Sequence, residues 1–258
     1  MRSQANATAQ VELRQRGELG DRPITLPVLD RVSATREGTR QEQAYRPGHV
    51  VEFRTNLPSQ RMAAGDRGTV VSTERGQVAL RMTDGQHRLF LPDRLPRNLK
   101  QDAVPVHAIK EIQLHAGDRI RWTDSDHDRD LVNAQLARIE VIDARTITRS
   151  SLIDGTVHQL ARDDRMLERL DLAYALNVHI AQGVTTDHGI VMTSAYPKPL
   201  ASQSSFLVAV TRIADGATLI IDSGRDLERA VQRNPGEKTA ALEVAALPLP
   251  ERSLSRER

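Results

Sequence analysis

The stretch Pro47-Gly48-His49-Val50-Val51-Glu52-Phe53 has a counterpart 69 residues later in Ala116-Gly117-Asp118-Arg119-Ile120-Arg121-Trp122. In each, a glycine turn leads into a short run of β-branched and apolar residues that ends on an aromatic side chain, the pattern of a half-buried strand. The offset persists downstream, where Gly68-Thr69-Val70 falls on Ala137-Arg138-Ile139 and, 70 residues apart, Asp84-Gly85 falls on Asp154-Gly155. A fixed offset across several short strands signals a duplicated unit. Within the first copy the runs HVVEFR, RGTVVST, GQVALRM and HRLFLP are separated by Glu74-Arg75-Gly76 and Thr83-Asp84-Gly85. These are hairpin turns, because Gly and Asp tolerate the positive φ that such turns demand.

The expectation is therefore an α+β chain that opens with two tandem antiparallel barrels, SH3-like in type, at residues 41–105 and 106–165. The proline-bearing segment Pro92 to Pro105 is the linker between them. Residues 1–40 read as a loose lead-in whose first ordered segment lies near 24–32, since Gln, Arg, Glu and Gly alternate there without an apolar period. From residue 166 to 246 the pattern changes. HGIVMTSA is strand-like, Leu200 to Ile213 helical, Ala217 to Ile221 a buried-strand run, and Arg225 to Asn234 a helix stopped by Pro235, an order that suits a parallel sheet. Residues 247–258 read as a flexible tail.

Composition removes several classes of function. With no cysteine there is no disulfide scaffold, no cysteine-type zinc site and no cysteine nucleophile. The eight histidines do not cluster at metal-ligand spacing, and the acidic run Asp124 to Asp130 has Arg129 where a calcium loop requires glycine, so no metal is expected. No Gly-x-Ser-x-Gly elbow occurs, which removes that hydrolase type. No apolar window is long enough to span a membrane, and a cytoplasmic location is expected. Charge is uneven: residues 41–100 carry 10 Lys and Arg against 6 Asp and Glu, whereas residues 101–165 carry 9 against 12. Arg54, Arg61, Arg67, Arg75, Arg81, Arg88, Arg94 and Arg97 thus form either a phosphate-binding face or a solvated strand surface. Trp122, the only tryptophan, is either a base-stacking platform or core.

The segment DLAYALNVHIAQGVTTDHGIVM, followed by SSFLVAVTRIADGATLIID, resembles motifs V and VI in the second motor domain of RecD-like superfamily 1 helicases. His179, Gln182, Gly183 and Thr185 match the first motif, and Val208, Ala209, Val210, Thr211 and Arg212 the second. Upstream, LHAGDRIRWTDSDHDRDLVNAQLARIEVIDARTI resembles the β-barrel insertion that precedes motif V, with Ala134 where glycine is usual. The paired barrel before it, YRPGHVVEF onwards, is similar to the conjugative relaxase-helicases of the TraI type (MobF), and the whole resemblance covers about residues 24–243.

That resemblance implies a partial RecA-like α/β motor segment after the barrels. It implies nucleotide contacts at Gln182, Gly183 and Arg212, with Arg212 as an arginine finger, and DNA contacts at His179 and Thr185, to which the basic stretch adds Arg54, Arg67, Arg81 and Arg88. Ile180 and Ala181 replace a Lys-Ser pair usual in the family. No glycine is followed by lysine anywhere in the chain, so the phosphate-cradling loop is absent and no cofactor is expected in isolation; ATP and Mg²⁺ enter only with a missing motor half. The expected role is binding single-stranded DNA and being recognised by the coupling protein of a type IV secretion apparatus, within the rest of a relaxase-helicase polypeptide. The alternatives are the second half of an ATP-dependent helicase and a vestigial helicase fold in which Val208, Val210 and Ile213 only pack and Arg212 forms a surface ion pair.

Overall fold

The computed structural model describes residues 2–32, 35, 37–100, 102–178, 180–181, 185–194 and 202–235. The chain is mixed α and β and divides into two units, Met1–Ala175 and Leu176–Arg258.

The duplication lies in the first unit. Strands β2 (Val50–Glu52), β3 (Arg67–Glu74), β4 (Gln77–Met82) and β5 (His87–Phe90) pair in succession as an antiparallel meander. The start of β6 (Val106–Leu114) then returns to β2 through Val50↔His107 and Val51↔Val106. The second copy repeats this with β7 (Arg119–Trp122), β8 (Leu136–Ile142), β9 (Thr146–Ser151) and β10 (Val157–Ala161), and β11 (Leu170–Leu172) returns to β7. The orders are β5-β4-β3-β2-β6 and β10-β9-β8-β7-β11.

The offset of 69 holds down to single hydrogen bonds. Gly48 N donates to Val70 O at 2.9 Å and Gly117 N to Ile139 O at 2.7 Å; Gly65 N donates to Phe53 O at 2.7 Å and Ala134 N to Trp122 O at 2.9 Å. Arg61 (φ 56°) and Asp130 (φ 53°) each end a 3-10 turn, Pro58–Gln60 and His127–Arg129, in the left-handed region. The register slips after Val70 in one copy and after Ile139 in the other. Arg75 (φ 52°) and Gly76 (φ 80°) form the expected tight hairpin turn.

Neither sheet closes. Both hydrogen-bonded orders are open, in place of the expected closed barrels. In the first copy the reason is β6, which after two residues beside β2 turns its remaining length to β1 (Ile24–Arg31), in register from Arg31↔His107 to Ile24↔Leu114. In the second copy β11 is three residues long and pairs with β7.

Alternation drives the packing: Val78, Leu80 and Met82 of β4 point inward while Gln77 and Arg81 point out. The first core gathers Tyr45, Val51, Phe53, Val70, Leu80 and Phe90, with Phe90 edge-on to both Tyr45 and Phe53. The second gathers Ile120, Trp122, Leu131, Ile139, Ile147 and Leu170, and is completed by Leu26 and Val28 of β1 and Ile112 and Leu114 of β6. One long strand thus finishes the first sheet with its beginning and roofs the second core with its end. Each large aliphatic so buried contributes roughly 1.5–3 kcal/mol.

Residues 2–15, expected to be a loose lead-in, form helix α1 (Arg2–Gln15). Its Ala, Gln, Glu, Leu and Arg are good helix formers, and Gly17 at φ 73° ends it, with Gly17 N on Arg14 O and Glu18 N on Leu13 O. It has no apolar stripe. Its one buried residue is Asn6, whose Nδ2 donates to Leu172 O at 2.9 Å and whose Oδ1 accepts from Ala175 N at 2.6 Å.

The second unit holds β12 (Thr186–Thr193) and β13 (Ile213–Ile221), which pair in parallel, with α2 (Gln203–Val210) between them and α3 (Gly224–Arg233) after them. Ser202 and Ser223 cap the two helices through Ser205 N and Asp226 N. The apolar face of α3, Leu227, Ala230 and Val231, packs with Phe206 of α2. Leu219, Ile220 and Ile221 are exposed, where the sequence predicts a buried run over Ala217 to Ile221, and Ile190 and Met192 of β12 are exposed as well.

Candidate nucleic-acid interface

Of the four arginines expected to meet phosphate in the first copy, three are held by carboxylates. Arg54 Nη2 lies 2.5 Å from Asp124, Arg67 Nη1 lies 2.6 Å from Glu168, and Arg88 reaches Asp66 at 3.0 Å and Asp84 at 3.1 Å. No two of them share a partner, so the structure does not gather them into one pocket. Arg81 differs. It is exposed on the outward face of β4, opposite Thr69 and His87, and among the described residues it has no carboxylate within ion-pair distance. Exposed His87 and Leu89 of β5 and Val71 of β3 share the neighbourhood of that face.

Among the described residues of the first unit, no Phe, Tyr or Trp ring is exposed on the sheet faces. Trp122, Tyr45, Phe53 and Phe90 are all fully buried, and Tyr174, half-buried, gives its hydroxyl to Asp118.

The two copies are joined by a seam of charge that the local pattern of the sequence does not reveal. Arg169 Nη2 donates to Glu52 Oε1, His107 Nε2 lies 3.4 Å from Glu52 Oε2, and Arg169 Nη1 lies 3.7 Å from Asp124. Burial pushes Glu52 upward, but the hydrogen bonds and charges of His107 and Arg169 outweigh it and carry the carboxyl down to about 2. The Arg54–Asp124 and Arg67–Glu168 pairs cross the same seam. These arginines fasten the copies together before they are free for any ligand. The acidic run is engaged likewise: Asp124 faces Arg54, and Arg129 pairs with Asp126 and Asp164.

A second polar node anchors α1. Asp118 accepts from Tyr174 Oη at 2.6 Å, His115 N at 2.6 Å and Gln10 Nε2 at 2.8 Å, and burial still raises its pKa against those three donors.

In the second unit, His179, Gln182 and Gly183 lie outside the described residues. Thr185 is exposed and immediately precedes β12. Arg212 sits between α2 and β13, and its carbonyl accepts from Thr186 N at 2.9 Å, which brings Thr185 and Arg212 to the same end of the parallel pair. The Arg212 side chain is half-buried, its Nε is buried without a hydrogen-bond partner, and among the described residues it makes no ion pair. Val208 and Val210 are half-buried and Thr211 is exposed.

No family model matches the chain. The chain is 25% identical over 242 residues to "Multifunctional conjugation protein TraI" of Escherichia coli and, to the same degree, to its counterpart in strain K12. The match takes in 92% of this chain and 13% of each TraI, so the chain spans about one eighth of these relatives. Among solved structures, Pif1 helicase from Bacteroides in complex with ADP-AlF3 and ssDNA is similar at 16% identity, covering 85% of this chain and 40% of that one with a TM-score of 0.21. Unliganded Pif1 from Bacteroides sp gives 17% identity, 85% and 40% coverage and a TM-score of 0.19. That likeness is too loose to carry residue roles across. Among the described residues no helix is long and apolar enough to cross a membrane. Over nine-tenths of its length the chain is similar to part of the multifunctional conjugation protein TraI.

Proposed function

We infer that this chain is the part of a conjugative relaxase-helicase that holds single-stranded DNA by its backbone and is recognised by the transfer machinery, and that alone it hydrolyses no ATP. The observation that carries this reading is the similarity to TraI along a stretch that includes both copies of the duplicated sheet. The shared strand order supports an SH3-like unit in each copy, with the fifth strand of each, Val106–Leu114 and Leu170–Leu172, lying just past the expected bounds of 41–105 and 106–165. Within the expected 166–246, the parallel strand-helix-strand order from Thr186 to Ile221 supports a partial RecA-like segment, while β11 belongs with the second copy. Arg81, which among the described residues pairs with no carboxylate, is the foremost contact for a phosphate, ahead of the paired Arg54, Arg67 and Arg88.

Fluorescence anisotropy of a labelled oligo(dT) against the full chain tests it. Binding at low salt that falls steeply as salt rises is expected, because phosphate neutralisation releases counterions. No binding at low salt, or binding indifferent to salt, overturns it. The signal role is tested in a transfer assay with the full chain fused to a reporter, where transfer unchanged by surface substitutions across both copies counts against recognition by a coupling protein.

One observation favours a second reading, an ATP-dependent helicase half that requires a separate P-loop half. Thr186 N donates to Arg212 O, which puts Thr185 and Arg212 at the same end of the parallel pair, and the Arg212 Nε is buried without a partner. ATP and Mg²⁺ would then be shared with that other half.

A further inference from the structure

Position 80 in the first copy and position 149 in the second are equivalent, 69 residues apart on corresponding strands. Leu80 is fully buried in the first core. Its counterpart is Arg149, which points inward between Ile147 and Ser151 of β9 and is 1% exposed. Its Nε, Nη1 and Nη2 are all buried and none has a hydrogen-bond partner. The guanidinium lies over the Trp122 ring, 5.8 Å from its centroid. A ring face offsets only part of what it costs to bury a cation, and buried arginines are ordinarily matched by a carboxylate or phosphate. Here the acidic group that acts on it is Asp154, in the turn between β9 and β10, and among the described residues no carboxylate hydrogen-bonds to its guanidinium. Burial holds the Arg149 pKa below the usual arginine range.

The β9–β10 turn that carries Asp154 buries far less surface than the core on the other side of the guanidinium. Residues 152–156 are exposed or nearly so, and the turn is held by Ser151 N on Thr156 O, Gly155 N on Ser151 O and Thr156 N on Asp154 Oδ1. Leu152, Ile153 and Val157 stand exposed on it, Ile153 at 78%. A turn with little buried apolar surface opens at low cost.

We propose that Arg149 is an oxyanion subsite, reached when the β9–β10 turn swings aside, and that it takes a phosphate group. The bidentate fork of an arginine matches a phosphate's oxygens, and a phosphate supplies the acceptors the buried nitrogens lack. Only for the source of that phosphate, a DNA backbone or a free ion, does the inference rest on the DNA-binding reading.

Trp122 reports the event directly, since it is the only tryptophan in the chain and lies against the guanidinium. The full chain is titrated with oligo(dT), with inorganic phosphate and with sodium chloride at matched ionic strength, while Trp122 emission is followed. A saturable change with oligo(dT) assigns a backbone phosphate, and a change with inorganic phosphate alone assigns a free ion; either supports the subsite. A response to neither, or an equal response to chloride, overturns it.

The paired variant is Arg149→Leu, which installs the residue the first copy carries. It is expected to unfold at a higher urea midpoint than the parent, to lose the Trp122 response and, where the source is DNA, to bind oligo(dT) about ten-fold more weakly. A lower midpoint shows that the guanidinium is a structural anchor and overturns the proposal. Oligo(dT) that binds by anisotropy without a Trp122 change, and binds Arg149→Leu equally well, overturns the subsite alone. Absence of any oligo(dT) binding overturns the DNA reading and leaves a phosphate response to stand.

Discussion

Arg169, just ahead of β11 in the second copy, donates to Glu52 of β2 in the first, and this bond is the centre of the seam between the copies. Both side chains are largely buried, at 12% and 13% exposure, so solvent screens the pair little. Removing one partner of such a pair leaves the other charge buried. Arg169→Ala is expected to cost about 2–4 kcal/mol, the lower end because His107 still faces Glu52. Urea unfolding measures it. A midpoint indistinguishable from the parent's shows that the seam adds nothing.

The same carboxylate makes the fold acid-sensitive. Glu52 has a folded pKa of about 2 against an ordinary 4.5, so its contribution is complete above 4.5 and is lost as the pH falls from 4.5 toward 2. The loss is on the order of 3 kcal/mol. Urea midpoints taken through that window should fall for the parent and fall less for Glu52→Gln. Equal slopes for the two place the acid-sensitive group elsewhere.

Asp118 has the opposite sign. Its folded pKa is raised by burial above the ordinary 3.8, so the ionised form destabilises the fold and stability declines as the pH climbs from 3.8 through the raised value. Asp118→Asn removes that charge while its amide oxygen still accepts from His115 N, and its NH2 can donate to the Tyr174 hydroxyl. The variant is expected to be at least as stable as the parent at pH 7 and flatter with pH. A loss at pH 7 shows instead that the charged acceptor is needed by Gln10 and Tyr174.

What was legible in the sequence was whatever depends on neighbours along the chain. The alternation of Val78, Leu80 and Met82, the Arg75-Gly76 turn and the offset of 69 all follow from local spacing, and the sheets formed where they predict. The seam was not legible, because Arg169 and Glu52 are 117 residues apart and only the fold brings them together. Helix α1 was missed because it docks by Asn6 and Gln10 rather than by an apolar stripe, though Gly17 marked its end. Burial of Arg149 was hidden in TITRSS, a run polar at most positions; extending the repeat comparison to Leu80 shows the oddity.

Ala134 stands at φ 67°, where the first copy has Gly65 at φ 93°. A residue with a Cβ is strained in that region, and glycine is not, although glycine has more freedom to lose on folding. Ala134→Gly should therefore stabilise the chain by about 0.5–1 kcal/mol. Gly65→Ala should destabilise it by a similar or larger amount. Thermal unfolding of both variants checks the pair, and a loss in Ala134→Gly refutes the strain argument.

Among the basic residues, exposure and pairing separate ligand contacts from fasteners. Arg81→Ala is expected to weaken oligo(dT) binding and to lower the slope of log affinity against log salt by roughly 0.7, the share of one phosphate on a single strand, with the unfolding midpoint unchanged. Arg67→Ala, which breaks the pair with Glu168, should lower the midpoint and leave that slope alone. The reverse pattern assigns the phosphate contact to the seam.

Arg212 carries the distinction between the two functional readings. Its carbonyl is fixed by Thr186 N, so truncating the side chain leaves the α2–β13 junction in place. Its Nε has no partner, so little internal structure depends on the guanidinium. Arg212→Ala should accordingly keep the fold and the oligo(dT) affinity of the chain, checked by circular dichroism and anisotropy. If a P-loop half supplied in cis or trans yields an ATPase, the same substitution should lower its rate by ~10³ to 10⁵, the range for arginine fingers. Val210→Ala is the control, since Val210 is half-buried in α2 and its loss should act through stability and not through turnover. An active reconstituted ATPase that keeps its full rate without Arg212 removes the arginine-finger assignment, and a P-loop half that never yields activity favours the vestigial helicase fold for this segment.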